Sequence, residues 1–109
     1  PRLMELALSN LLVNAKKYAQ RKACCSLVEA NDSYLLTVED DGAGVPDEDR
    51  EKVFKAFTRI DDSRNRETGG YGLGLAIVAR VAELHGGQAG VDTSPGLGGA
   101  RFSIRWPSI

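Results

Sequence analysis

Asn10 and Asn14 stand four residues apart, with Lys17 and Tyr18 a further turn along, so on a helix all four project from adjoining stripes. Asparagine is a poor helix-interior residue, and two beside an apolar face need amide or carbonyl partners from elsewhere. A pair of structural hydrogen bonds is one account. The other is chemical: an amide oxygen is a hard ligand for Mg²⁺, a lysine is a counter-charge for phosphate, and a tyrosine ring can stack on a base. Together they read as a nucleotide site. A second set, Val38-Glu39-Asp40-Asp41-Gly42-Ala43-Gly44-Val45-Pro46, runs a strand into two glycines with an acid at the junction. A carboxylate there can accept from an exocyclic amino group, and glycines let the backbone turn sharply beside a planar ring. Adenine carries that amino group. A plain turn is the bland account; a Ca²⁺ loop is disfavoured, because the alternating ligand spacing and terminal bidentate glutamate are missing. A third set, Gly69-Gly70-Tyr71-Gly72-Leu73-Gly74-Leu75, opens an apolar helix and puts backbone N–H groups and a positive dipole end where polyphosphate could sit. No Lys-Ser or Lys-Thr follows it as in a P-loop, and Leu75 or Ile77 stands where a dinucleotide fingerprint needs glycine. A hinge without ligand is the remaining alternative. Arg59, Arg64 and Arg66 lie in or beside the polar stretch Thr58 to Gly70, either as solvated surface or as groups that close over phosphates.

The elements that must hold these groups are legible from periodicity. Leu3 to Tyr18 reads as a helix with Met4, Ala7, Leu8, Leu11, Leu12 and Ala15 on one face, and Pro1 suits its first turn. Ala23 to Glu29 and Tyr34 to Glu39 read as a hairpin around Asn31-Asp32-Ser33. Asp47 after Pro46 is expected to cap a second helix to about Phe57, with Val53, Phe54 and Phe57 inward. Leu73 to His85 is a largely buried helix closed by Gly86-Gly87. Ala89 to Thr93 and Ala100 to Trp106 flank a Pro95 to Gly99 turn, with Arg101, Ser103 and Arg105 on a wet face. The order predicts an α+β, two-layer α/β sandwich with helices on one face of a mixed, mainly antiparallel sheet.

Composition narrows the function classes. A chain of 109 residues is the size of one domain, and 14 Lys and Arg against 15 Asp and Glu give no field of one sign to gather nucleic acid or anionic lipid. No apolar run reaches the ~18 residues of a membrane span, and no secretory signal opens the chain. All twelve glycines fall between Gly42 and Gly99, so function is sought in the back half and where it meets the front. Cys24 and Cys25 are adjacent, cannot staple distant segments, and read as small strand residues in a reducing compartment.

In their order these sets resemble the ATP-binding catalytic domain of bacterial sensor histidine kinases, of the GHKL superfamily that also holds DNA gyrase, a heat-shock chaperone and a mismatch-repair ATPase. Asn10 to Tyr18 looks like the asparagine box, Asp40 to Gly44 the first glycine box, Val53 to Arg59 the phenylalanine box, and Gly70 to Leu75 the second glycine box. The resemblance implies a Bergerat-type fold over residues 1–109, with the N-terminal part of the domain and the dimerisation and phosphotransfer domain lying outside the chain. It implies ATP and Mg²⁺ as cofactors, with Asn14, Lys17 and Arg59 catalytic. Asn14 would hold the metal with Asn10 beside it, Lys17 would meet the phosphates, and Tyr18 would lie near the base. Asp40 would read the adenine amino group, and Gly42, Gly44 and Val45 would shape the base pocket. Gly70, Tyr71, Gly72, Leu73, Gly74 and Leu75 would wrap the phosphates, and Arg59 would approach the γ-phosphate. The implied partners are a histidine-bearing dimerisation domain and a response regulator. The domain would work at the cytoplasmic face of an inner-membrane sensor without itself touching membrane or nucleic acid. Two positions depart: Ala56 stands where proline is usual, and Ala100 where threonine is usual, which puts a hydroxyl contact there in doubt. The one histidine, His85, reads as structural, so the isolated chain is expected not to phosphorylate itself. Competing readings are an anti-sigma-factor-type serine kinase and a non-catalytic ATP-sensing module whose nucleotide only orders the loop.

Overall fold

In the first helix, buried residues recur at intervals of three and four, as Met4, Ala7, Leu11 and Asn14, which is the spacing of one helical face. A computed structural model describes residues 2–55 and 74–108. Helix α1 spans Arg2–Tyr18, with Glu5 in its first turn and Lys16 and Lys17 in its last, each sign at the favourable end of the helix dipole. Its buried stripe is narrower than expected. Leu12 is 44% exposed and points away from the core, while Leu8 is partly buried against it. Pro1 lies outside the described residues.

Strands β1 (Ala23–Ala30) and β2 (Ser33–Asp40) form an antiparallel hairpin. Only two residues turn it, and Asn31 and Asp32 both carry positive φ, 54° and 62°. That is the backbone of a primed turn, and Asn and Asp tolerate it because short polar side chains suffer least there. Strands β3 (Gln88–Thr93) and β4 (Ala100–Pro107) form the second hairpin, and β4 also pairs with β2, so the sheet order is β1-β2-β4-β3. All three pairings are antiparallel, so the mainly antiparallel sheet is found, with no parallel ladder among the described residues.

Helix α2 (Gly74–Leu84) packs on β3 and β4, and α1 packs on β2 and against α2, which gives the two layers. The core between them comprises Ala7, Leu11, Leu36, Val38, Val78 and Ile104 among others. On β4, Phe102 and Ile104 face this layer while Arg101, Ser103 and Arg105 face the other way, as alternation requires. At the far end of α2, Gly86 takes φ 77° and the Gly87 N–H donates to the Ala82 carbonyl at 2.8 Å, the left-handed cap foreseen. The His85 ring there lies with Nδ1 2.9 Å from the Val81 carbonyl, tied into the helix exit.

The expected helix from Asp47 is corrected. The chain forms two short 3₁₀ turns, Asp47–Asp49 and Lys52–Phe54, and Pro46 precedes the first with no side-chain cap bond. Asp47 instead pairs with Arg50 at 3.0 Å. Among the described residues of this stretch the apolar anchors after Pro46 are the adjacent Val53 and Phe54, so no stripe at helical spacing rewards a longer helix, and Lys55 turns extended (φ −91°, ψ 144°). Arg50 then donates to the Val45 carbonyl at 3.2 Å and to Thr93 Oγ1 at 3.0 Å, and Phe54 packs edge-on to Phe102 at 6.1 Å. These contacts moor the segment that follows the β2 end. Phe57 lies outside the described residues.

Candidate functional site

The C-terminal end of β2 delivers Asp40 to the helix-side face, two residues on from Val38 and four from Leu36, so its side chain enters the layer those residues line. It is only 2% exposed. A buried carboxylate requires donors, and Oδ1 receives two from the backbone: Gly42 N–H at 2.9 Å and Ala100 N–H at 3.2 Å. The Gly99 N–H donates to the Asp40 carbonyl at 3.1 Å.

Close approach explains two of the glycines. A Cβ on Gly42 would collide with the Tyr18 carbonyl, and one on Gly99 with the Asp40 carbonyl and Oδ1. Gly44, at φ 80°, turns the chain beside them. The resulting pocket is lined by Asn14, Tyr18, Asp40, Ala43, Gly44, Val45, Ala100 and Phe102. Four sequence elements thus converge: the α1 end, the β2 end, the glycine turn after it and the start of β4.

Asn14 is 9% exposed, and among the described residues its Nδ2 is a buried donor with no partner. Buried polar groups are nearly always satisfied, so this amide is a group awaiting an acceptor. A half-turn of the amide exchanges its nitrogen and oxygen, so the same side chain can offer a hard oxygen to Mg²⁺. Asn10 does not line this pocket. Its Nδ2 donates to the Leu6 carbonyl at 2.9 Å, and a Cβ on Gly74 would stand 3.2 Å from its Oδ1, so it faces the start of α2. The Lys17 ammonium sits 5.5 Å from the centroid of the Tyr18 ring. Leu75 is buried in the core, which leaves its backbone for any ligand contact. Arg59, Arg64, Arg66, Gly70, Tyr71, Gly72 and Leu73 lie outside the described residues.

A larger hollow, about 390 Å³ against about 70 Å³ here, lies on the bare face of the sheet around Arg101, Asp92 and Arg105. Two of its three charges are paired, Arg101 gripping Asp92 through two bonds at 2.8 and 2.5 Å, and Arg105 is exposed to solvent. Chemistry, not volume, marks the smaller pocket.

The successive acids Asp40 and Asp41 do different work. Asp41 accepts the Gln20 N–H at 2.7 Å and the Arg21 N–H at 3.0 Å, clasping the turn between α1 and β1. The Arg21 N–H bond is the main cause of a lowered Asp41 pKa, and the Arg101 hydrogen bond does the same for Asp92. A carboxylate depressed on folding contributes stability that is present above its unfolded value, about 3.9, and is lost as pH falls through the lower folded one. Thermal unfolding followed from pH 6 to pH 2 is therefore expected to show a midpoint that falls below about pH 4. Asp41→Asn should flatten that fall, and an unchanged slope would remove Asp41 from the acid response.

Sequence reasoning missed Asp41 as a clasp and Gly99 as a support of Asp40. At Ala100 the backbone N–H donates to Asp40 Oδ1, a contact that any residue but proline supplies.

The whole chain, residues 1–109, matches the family described as histidine kinase-, DNA gyrase B-, and HSP90-like ATPase. It is 52% identical over 106 residues to the sensor protein RstB of Escherichia coli, covering 97% of this chain and 24% of RstB, so it spans about a quarter of that relative. The ATP-binding domain of PrrB from Mycobacterium tuberculosis superimposes with a TM-score of 0.77 at 36% identity, covering 98% of this chain and 68% of that one. Full-length ShkA in complex with AMPPNP gives 0.79 at 30% identity, covering 96% of this chain and 21% of that one.

Proposed function

Because the chain belongs to the histidine kinase-, DNA gyrase B-, and HSP90-like ATPase family, we propose that residues 1–109 are the ATP-binding catalytic domain of a sensor histidine kinase. It binds Mg-ATP and delivers the γ-phosphoryl group to a histidine on a separate dimerisation domain. The observation that carries this reading is the meeting, in one pocket, of a carboxylate anchored by two backbone amides and a buried amide nitrogen with no partner among the described residues.

Asp40 accepts the exocyclic amino group of adenine, and Tyr18 and Val45 bound the base. Gly42 and Gly44 keep the wall thin enough for the ring to approach. In this reading Asn14 and Lys17 meet the phosphates, and the glycine box Gly70 to Leu75 would supply backbone N–H groups to them. Arg59 neutralises charge at the γ-phosphate. When bound, Mg²⁺ supplies charge neutralisation across the phosphate oxygens, with Asn14 as its protein ligand. No residue of this chain bonds to phosphorus: the acceptor imidazole nitrogen forms that bond as the link to the β,γ-bridging oxygen breaks, and ADP leaves with the electron pair. The domain's contribution is positioning and electrostatics. The partners in this reading are the histidine-bearing dimerisation domain and a response regulator, and the domain works at the cytoplasmic face of a membrane-bound sensor.

Calorimetric titration with a non-hydrolysable ATP analogue, with and without Mg²⁺, tests binding; labelled ATP with the helical hairpin of a cognate kinase tests transfer. Metal-dependent binding and label on the hairpin histidine are expected, with none on this chain alone. Intact binding with an unlabelled hairpin would turn the reading to an ATP sensor, and label on a serine substrate to a serine kinase. Asn14→Ala is expected to abolish most of the Mg²⁺ benefit, about tenfold or more in metal affinity. If metal dependence stays as in the parent, Asn14 is not the ligand.

A further inference from the structure

We propose that Glu39 and Ser94 are a positioning pair that holds the β3–β4 turn on Asp40 and thereby sets the domain's preference for adenine; the proposal rests on the ATP-binding reading. Ser94 is 1% exposed, and every hydrogen-bonding group it owns is used. Its Oγ–H donates to Glu39 Oε1 at 2.7 Å across 55 residues of sequence, and its Oγ accepts the Leu97 N–H at 3.0 Å. Its N–H donates to the Gly99 carbonyl at 2.8 Å, and its carbonyl accepts the Gly98 N–H at 2.9 Å. The turn from Ser94 to Gly99 is thus one bonded unit, and it runs directly into the Gly99 and Ala100 N–H groups that hold Asp40.

Glu39 and Asp40 are successive strand residues, so their side chains leave β2 on opposite faces. Each grips the same turn. Glu39 holds its beginning through Ser94, and Asp40 its end through Ala100. The nearby cation, Arg101, opposite Glu39 in register, spends its Nε and a terminal nitrogen on Asp92 and acts on Glu39 through charge alone. Gripped from both sides, the turn cannot swing, and Asp40 keeps Oδ1 on the backbone and its carboxylate in the pocket wall. With the Glu39 tie cut, the Ala100 N–H is free to drift, and the carboxylate loses one of the two anchors that orient it. The base contact weakens while Asn14, on α1, is untouched.

The test compares Ser94→Ala, Glu39→Ala, Glu39→Gln and the double alanine variant. Calorimetry measures affinity for non-hydrolysable ATP and GTP analogues with and without Mg²⁺. Each alanine variant is expected to lose roughly 3- to 10-fold in the ATP-over-GTP ratio. Glu39→Gln, which keeps an acceptor oxygen, should stay within about twofold of the parent, and the double variant should be no worse than the worse single one, as for two ends of one bond. The Mg²⁺ benefit should be unchanged in all four. Should Ser94→Ala fail to fold, the Glu39 pair decides alone, since that side chain is only half-buried. An unchanged ratio, equal loss in Glu39→Gln and Glu39→Ala, additive losses in the double variant, or a parallel loss for both nucleotides would overturn the pair. A parent chain that binds both analogues equally would overturn the pair alone, and one that binds neither would overturn the ATP-binding reading and the pair with it.

Discussion

Asp40→Asn is expected to lower affinity for ATP by about 1.5–3 kcal/mol, roughly 10- to 150-fold, with a much smaller change for GTP. The substitution is chosen because it separates site from fold. Oδ1 holds the Gly42 and Ala100 N–H groups, and an asparagine oxygen can go on accepting them. What changes is the other atom: an NH₂ replaces the oxygen that, in the proposed reading, accepts from the base, and a donor would then meet the donor of the adenine amino group. Asp40→Ala removes both functions and leaves two backbone donors unpaired in a buried place, so it should lose stability as well. Calorimetric titration of both variants, with thermal midpoints taken alongside, checks this. Retention of full ATP affinity by Asp40→Asn would move base recognition to another residue.

Gly99→Ala is expected to damage the fold and the ATP site together. The added methyl would meet the Asp40 carbonyl and Oδ1, and would stand 2.6 Å from the Gly42 backbone nitrogen. None of these atoms is the free end of a flexible side chain. Relief requires moving β4 off the β2 end, which pulls the Ala100 N–H from Asp40. Overpacking of this kind typically costs about 1–3 kcal/mol, and in a domain of this size each kcal/mol lowers the thermal midpoint by about 4–8 °C. A Gly96→Ala control, with nothing within 4 Å of its Cβ, should be near neutral. A thermal melt and an ATP titration measure the two losses together. If Gly99→Ala melts with the parent, the close approach is not a constraint.

Much of this was legible in the order of residues, because it depends on local period and local chemistry. Both hairpins, both helices, the glycine cap after His85 and the two-layer arrangement follow from apolar spacing and turn residues, which act over a few positions. Of the motifs, Asn14, Tyr18, Asp40 and Gly44 meet in one pocket, while Asn10 faces α2 and Gly70 to Leu73 lie outside the described residues. The stretch from Asp47 was misread because a helix start resembles a 3₁₀ turn until the absence of an apolar stripe tells them apart. Leu12 was assigned to the core because a helix face has no sharp edge in sequence. In β1, Leu27 is apolar yet 59% exposed, because the strand lies at the sheet edge with neither helix seated on it.

Sequence alone determined which chemical groups this protein carries and on which elements they ride, since helix and strand periods are set by neighbours a few residues apart. Tertiary structure decided which of those groups meet. The division of labour between Asp40 in the pocket and Asp41 on the outer turn, the grip of Glu39 on Ser94 across 55 residues, and the burial of an Asn14 amide nitrogen with no partner among the described residues all arise where separate elements are brought into contact. Hydrogen bonds and burial act over ångströms in space, and no spacing along the chain encodes them.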